Sequence, residues 1–218
     1  MKTNTDAKRV LLYGDSLVYG KKPVVFERFD NNIRFSGVAQ DILGDQYEVL
    51  EEGLRARMLQ GENKFFPERD GLKQFGPIIG SHLAIDLLVL SLGSNDCNSG
   101  GNVTEEVVKK ALNEYLQKLK DWAEFLVTPL PKVLILIPPA IDESCFDEGM
   151  GKVFGPGSAA RQRQLESTMV QYAKDHSIDY LLASNVCDPA NPGDGVHLDE
   201  AGNRALGKAL ATKIQTLV

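Results

Sequence analysis

Three short polar clusters in this 218-residue chain bring together residue types able to move an acyl group: Gly14-Asp15-Ser16-Leu17, Gly93-Ser94-Asn95-Asp96 and Asp194-Gly195-Val196-His197. A serine hydroxyl is a weak nucleophile until a base within hydrogen-bond reach takes its proton. The base works best when a carboxylate fixes its tautomer and steadies the imidazolium that forms. Asp194 lies one turn's spacing before His197, so this carboxylate can reach the ring without help from distant structure. Of the three histidines, His82 and His176 precede apolar runs of strand length, whereas His197 follows the last of them. His197 is therefore the imidazole that can meet Ser16. Asn95 offers a side-chain amide to a developing oxyanion, a contact typically worth about 3–4 kcal/mol in the transition state. Backbone N–H groups at Ser16 and in the loop after the second apolar run are expected to supply the rest.

These side chains need a scaffold that delivers them to one place. Apolar runs at 10–13, 47–50, 85–92, 133–137 and 178–183 are rich in Val, Ile and Leu and lack clean polar alternation, as strands of a parallel sheet do when both faces are covered. Between them lie helical patterns. Asn102 or Thr104 can cap a segment whose apolar positions Val107, Val108, Ala111, Leu112, Tyr115, Leu116 and Leu119 form one stripe. Asp199 can cap a last helix with Ala201, Ala205, Leu206, Ala209, Leu210 and Ile214 on one face. Weaker helical patterns cover 35–43, 72–82 and 159–176; Gly76-Pro77 is expected to break or kink the second. Residues 138–158, with four glycines and three prolines, read as one irregular loop.

Alternating strand and helix predicts a single α/β domain over 1–218: a doubly wound, three-layer α/β/α sandwich on a five-stranded parallel sheet, for which the flavodoxin-like order 2-1-3-4-5 is adopted as one of the common arrangements. In such sheets ligands bind outside the carboxyl ends of the strands. The three polar clusters follow the first, third and fifth strands and so share that edge. The stretch from Ala183 to His197, at about 3.3 Å per residue, is long enough to cross back over three strand spacings of ~4.8 Å.

Composition narrows the partners. A net charge of −6 does not provide the clustered Lys and Arg that neutralise phosphates, so nucleic acid is not expected to bind. The polar start runs into an apolar stretch too short for a signal-peptide core or a membrane span, which predicts a cytoplasmic protein. Cys97, Cys145 and Cys187 are expected to be free thiols.

The three clusters, in this order and at these places on the strands, resemble the blocks of the SGNH (GDSL) hydrolases. The resemblance covers nearly the whole chain. Glu51-Glu52-Gly53-Leu54-Arg55-Ala56-Arg57, Pro131-Lys132-Val133-Leu134 and Pro138-Pro139 look most like the bacterial arylesterase and acyltransferase branch. The family implies Ser16 as nucleophile, Asp194 and His197 as the rest of a triad, and an oxyanion hole of Ser16, Ala56 and Asn95. It implies a small ester as substrate, no cofactor and no metal. The branch also implies a homo-oligomer and an apolar channel in which alcohols or peroxide compete with water for the acyl-enzyme. Most of the family has glycine at the position of Ala56; alanine keeps the N–H and restricts the backbone. Val18 and Tyr19 stand where the branch often has Thr and Trp, and Arg55 and Met58 replace small or hydroxylated residues.

Other readings of the same residues remain open. Asp15 and Asp96 are expected to hold their own loops rather than to react. Arg55 and Arg57 either bind an anionic substrate or pair with Glu51 and Glu52. Leu54, Met58, Ile141, Phe146, Met150 and Phe154 either line an acyl pocket or belong to the core. Two further function classes compete with the esterase: a metal-dependent phosphoesterase using Asp15, Asn95, Asp96, Asp194 and His197, and a non-catalytic binding domain on the same scaffold.

Overall fold

A computed structural model describes residues 4–189 and 193–218. The strands β1 (Lys8–Gly14), β2 (Tyr47–Gly53), β3 (Leu87–Ser91), β4 (Lys132–Ile137) and β5 (Asp179–Leu182) form one parallel sheet in the expected order, β2-β1-β3-β4-β5. β1 lies between β2 and β3, with Gly14 level with Gly53 on one side and Ser91 on the other.

Successive strand residues bury on opposite faces. Leu11, Tyr13, Leu88, Leu90, Ile135 and Ile137 meet the apolar stripes of α3 (Gly71–His82), α4 (Glu105–Phe125) and α6 (Ser158–Asp175). Val10, Leu12, Leu87, Val89, Leu134 and Leu136 meet α2 (Phe35–Leu43) and α7 (Glu200–Leu217). Each such Leu or Ile contributes roughly 1.5–3 kcal/mol by leaving water. This two-sided burial is why the strands read as continuous apolar runs.

Two expectations need correction. α3 is not broken by Gly76-Pro77: it runs through Pro77, losing one backbone bond. Packing offsets that loss, because Phe75 and Ile79 are fully buried and Trp122 of α4 lies against Gly76 and Gly80. A Cβ at Gly80 would stand 2.7 Å from the indole ring, so the close approach needs glycine. The stretch 138–158 is not one irregular loop. Asp147 accepts the Met150 N–H at 2.7 Å and caps α5 (Glu148–Val153), a helix its two glycines conceal from propensity.

α1 (Ser16–Tyr19) is a single turn that follows β1 directly. No helix among the described residues is long and apolar enough to cross a membrane. The connection from Ala183 to His197 passes through 190–192, outside the described residues.

Candidate active site

β1 ends at Gly14, whose lack of a side chain is required: a Cβ there would stand 2.3 Å from Val18 Cγ2 and 2.6 Å from the Ser91 carbonyl. The chain can therefore turn tightly at the sheet edge. Asp15 accepts the Leu17 N–H at 2.9 Å and starts α1, leaving Ser16 on its first turn. Gly195, at φ 73°, turns the segment before α7, and any Cβ there would collide with the Asp142 carbonyl at 2.2 Å.

The turn brings Ser16, Asp194 and His197 into one hydrogen-bonded line. Ser16 Oγ is 2.9 Å from His197 Nε2, and His197 Nδ1 is 2.8 Å from Asp194 Oδ2. A carboxylate only accepts, so Nδ1 carries the proton and Nε2 faces the hydroxyl with its lone pair. The other oxygen of Asp194 accepts the N–H groups of Val196 at 3.2 Å and His197 at 2.9 Å. Oδ2 also accepts from the Val24 N–H at 3.0 Å and faces Lys21 Nζ at 3.5 Å.

These contacts set the charge states. Burial works against ionised Asp194, but the hydrogen bond and charge of His197, with the N–H groups of His197 and Val24, outweigh it and hold the carboxyl far below its usual range. Burial also disfavours charge on His197. Although Asp194 attracts the proton, burial with the nearby cations Lys21 and Arg55 leaves the ring below its ordinary 6.5. The imidazole is thus neutral, and able to accept a proton, at neutral pH.

Asn95 lines the same cleft as Ser16, its amide nitrogen 3.1 Å from the Arg57 carbonyl and 3.3 Å from Asp15 Oδ2. Ala56 also lines the cleft and adopts φ 64°, the left-handed conformation glycine takes without cost. Asp96 accepts the N–H groups of Leu59 at 2.7 Å and Gln60 at 3.4 Å, tying the loop after β2 to the loop after β3. Burial raises Asp15 to about 6 and Asp96 to about 7, the charge of Asp15 adding to the latter. Asp15 thus holds its own turn as expected, whereas Asp96, expected to hold its own loop, braces the loop after β2. The ligand set of the phosphoesterase reading is not assembled: among the described residues no three His, Cys, Asp or Glu side chains gather to hold a metal.

The cleft encloses about 300 Å³ and differs from the expected lining. Phe154 and Met150 face it, but Leu54, Met58, Ile141 and Phe146 do not; Val24, Phe26, Phe66, Val153 and Val196 make the remaining apolar wall. Ile141 and Met58 are buried away from it, and Phe146 packs against the core beneath Gly195. The half-buried Leu54 uses its N–H on the Gly14 carbonyl at 3.1 Å. An apolar side chain reads the same in sequence whether it faces a core or a cleft.

The two arginines separate. Arg57 is buried, donates to the carbonyls of Gly14 and Glu52 and to Gln74, and lies over the Tyr13 ring, so it braces the sheet edge. Arg55 lines the cleft. Neither pairs with Glu51, which binds Arg34 and Arg28 instead. Lys21 and Val24 belong to a hairpin bridged at Lys21 and Arg28, and carry no sequence signal, since they meet Asp194 across 173 and 170 residues. All three cysteines are unpaired, and burial pushes the Cys187 thiol up to about 12.

No curated protein sequence matches the chain. Among solved structures, the inhibitor-bound aryl esterase of M. smegmatis is similar at TM-score 0.90 and 29% identity, over 97% of this chain and 100% of that one. Est24, a carbohydrate acetylesterase from Sinorhizobium meliloti, is similar at TM-score 0.89 and 28% identity, again over 97% of this chain and 100% of that one. The family model described as GDSL-like Lipase/Acylhydrolase matches residues 10–210. By that match, which spans the sheet and all three polar clusters, the chain belongs to the GDSL-like lipase/acylhydrolase family.

Proposed function

We propose that the protein is a serine esterase that cleaves carboxylic esters of short acyl chains through an acyl-Ser16 intermediate. The observation that carries this reading is the unbroken line from Ser16 Oγ through His197 to Asp194, at 2.9 and 2.8 Å, opening on an apolar cleft. Ser16 Oγ attacks the ester carbonyl while its proton passes to His197 Nε2. The new oxyanion accepts hydrogen bonds from the Ser16 and Ala56 N–H groups and the Asn95 amide, donors that each stabilise the transition state more than the ground state. The imidazolium, steadied by Asp194, returns the proton to the departing alcohol. Water, activated by the same ring, then releases the acid.

The similarity to an aryl esterase and a carbohydrate acetylesterase supports aryl or acetyl esters as substrates. A cleft of about 300 Å³ favours short acyl groups over long ones. An added alcohol that entered in place of water would take the acyl group, giving transfer.

The test compares wild type, Ser16→Ala and His197→Ala on aryl acetate, butyrate and octanoate. Turnover is expected to fall with chain length and to drop by at least ~10³-fold in both variants. Equal turnover in the variants would remove the assignment.

A further inference from the structure

The cleft carries more positive charge than its acyl chemistry uses. Lys21, Arg55 and Arg69 line it against Asp147 and Asp194, in a chain whose net charge is −6. Two of the three cations are engaged. Lys21 Nζ faces Asp194 at 3.5 Å and donates to the Lys22 carbonyl at 3.0 Å. Arg69 spans the carbonyls of Arg55, Pro67 and Glu68.

Arg55 is different. Its carbonyl receives Arg69 Nε at 2.8 Å, but its guanidinium has no carboxylate or carbonyl partner among the described residues. It lies 5.4 Å from the ring centroid of Phe26 and 5.8 Å from that of Tyr19. Aromatic faces hold a guanidinium in place without consuming its fork of N–H donors. An anion arriving here breaks no existing ion pair. The charge also reaches the reaction centre, because Arg55 is one of the cations that hold His197 below its ordinary range.

We propose that Arg55 forms an anion subsite of the cleft, selecting esters that carry a carboxylate close to the scissile bond. This rests on the serine esterase reading for its catalytic consequence. The planar guanidinium matches a carboxylate with two parallel hydrogen bonds, and the walls of Phe26, Phe66 and Phe154 accept the apolar remainder of the same molecule. The substrate class is therefore an amphiphilic ester with one free carboxylate, such as a monoester of a dicarboxylic acid or an acyl ester of a hydroxyaryl acid. Neutral esters of the same size fill the walls and leave the cation unpaired.

Two matched pairs test it. Monoaryl glutarate against aryl pentanoate puts the carboxylate on the acyl side. The acetate of 4-hydroxybenzoate against that of 4-hydroxybenzamide puts it on the leaving group. In wild type, one pair is expected to show a higher kcat/KM for the anionic member, and in Arg55→Met the anionic-to-neutral ratio of that pair is expected to fall roughly tenfold. Arg55→Lys should keep part of the ratio, and added salt should reduce it. Separately, calorimetric titration of Ser16→Ala protein with benzoate and benzamide should show tighter binding of benzoate, lost when Arg55→Met is added. Ratios that Arg55→Met leaves unchanged in both pairs, with benzoate bound equally well by both proteins, would overturn the subsite. If wild type turned over none of the esters while Arg55 still governed benzoate binding, the esterase reading would fail and the subsite would stand.

Discussion

The backbone N–H of Val24 donates to Oδ2 of Asp194 at 3.0 Å, joining a hairpin near the start of the chain to the carboxylate paired with His197. Val24 makes this contact at φ 66°, a conformation that costs a β-branched residue about 1–3 kcal/mol. The surrounding hairpin holds it there through the Lys22 N–H to Glu27 carbonyl bond at 3.0 Å and the Phe29 N–H to Gly20 carbonyl bond at 2.8 Å. Proline cannot supply the N–H or a positive φ, so Val24→Pro is expected to lower kcat about tenfold or more on an aryl acetate. Unchanged turnover in that variant would show that the contact does not position Asp194.

Ala56 occupies the other left-handed position in the cleft, at φ 64°. Glycine would remove a penalty of about 1–2 kcal/mol while adding about 0.4–1 kcal/mol of unfolded-chain entropy. Ala56→Gly is therefore expected to gain up to about 1 kcal/mol, a rise of roughly 2–4 °C in Tm for a chain of this size. A thermal melt decides it: a lower Tm would mean that the methyl group packs usefully.

The pH dependence follows from the direction of the His197 shift. Only the neutral ring accepts the Ser16 proton, so kcat/KM is expected to rise with pH and reach half its plateau below the ordinary 6.5. The charged groups facing the ring are Asp194, Lys21 and Arg55. Replacing Lys21 by Met removes a cation that disfavours the imidazolium, and the rising limb should move to higher pH. A limb that stayed in place, or moved down, would contradict this electrostatic account.

Asn95 lines the cleft, its amide held by the Arg57 carbonyl and Asp15, and the proposed mechanism has that amide turn to the developing oxyanion. Asn95→Ala is expected to lower kcat by roughly 10²–10³-fold with a much smaller change in KM. A loss that tracked unfolding in a melt, and vanished at lower temperature, would make Asn95 a loop brace only.

Much of this arrangement was legible in the sequence because its signals are local. β1 and β3 announce themselves as apolar runs, and Asp194 and His197 meet within one turn of chain. The order of the sheet follows from the family resemblance, and its parallel strands bring all three polar clusters to one edge. What the sequence concealed is non-local or compensated. Lys21 and Val24 acquire their role from a residue far along the chain. Pro77 lies inside a helix whose Gly76 and Gly80 pack against Trp122 of a different helix. Ile141 and Phe154 have the same chemistry, and only the fold decides that one joins the core and the other also faces the cleft.

Ser16 and His197 stand 181 residues apart in the chain, and the segment carrying His197 leads into α7, whose Asn203 accepts the Phe35 N–H of α2 at 3.1 Å. A nascent polypeptide emerging from the ribosome can thus complete β1 through β5 and still be chemically silent, its hydroxyl waiting for a proton acceptor not yet synthesised. The line from Ser16 to Asp194 forms only once the segment carrying His197 has docked beside β1, so on the proposed mechanism turnover reports that parts of the chain 181 residues apart have met.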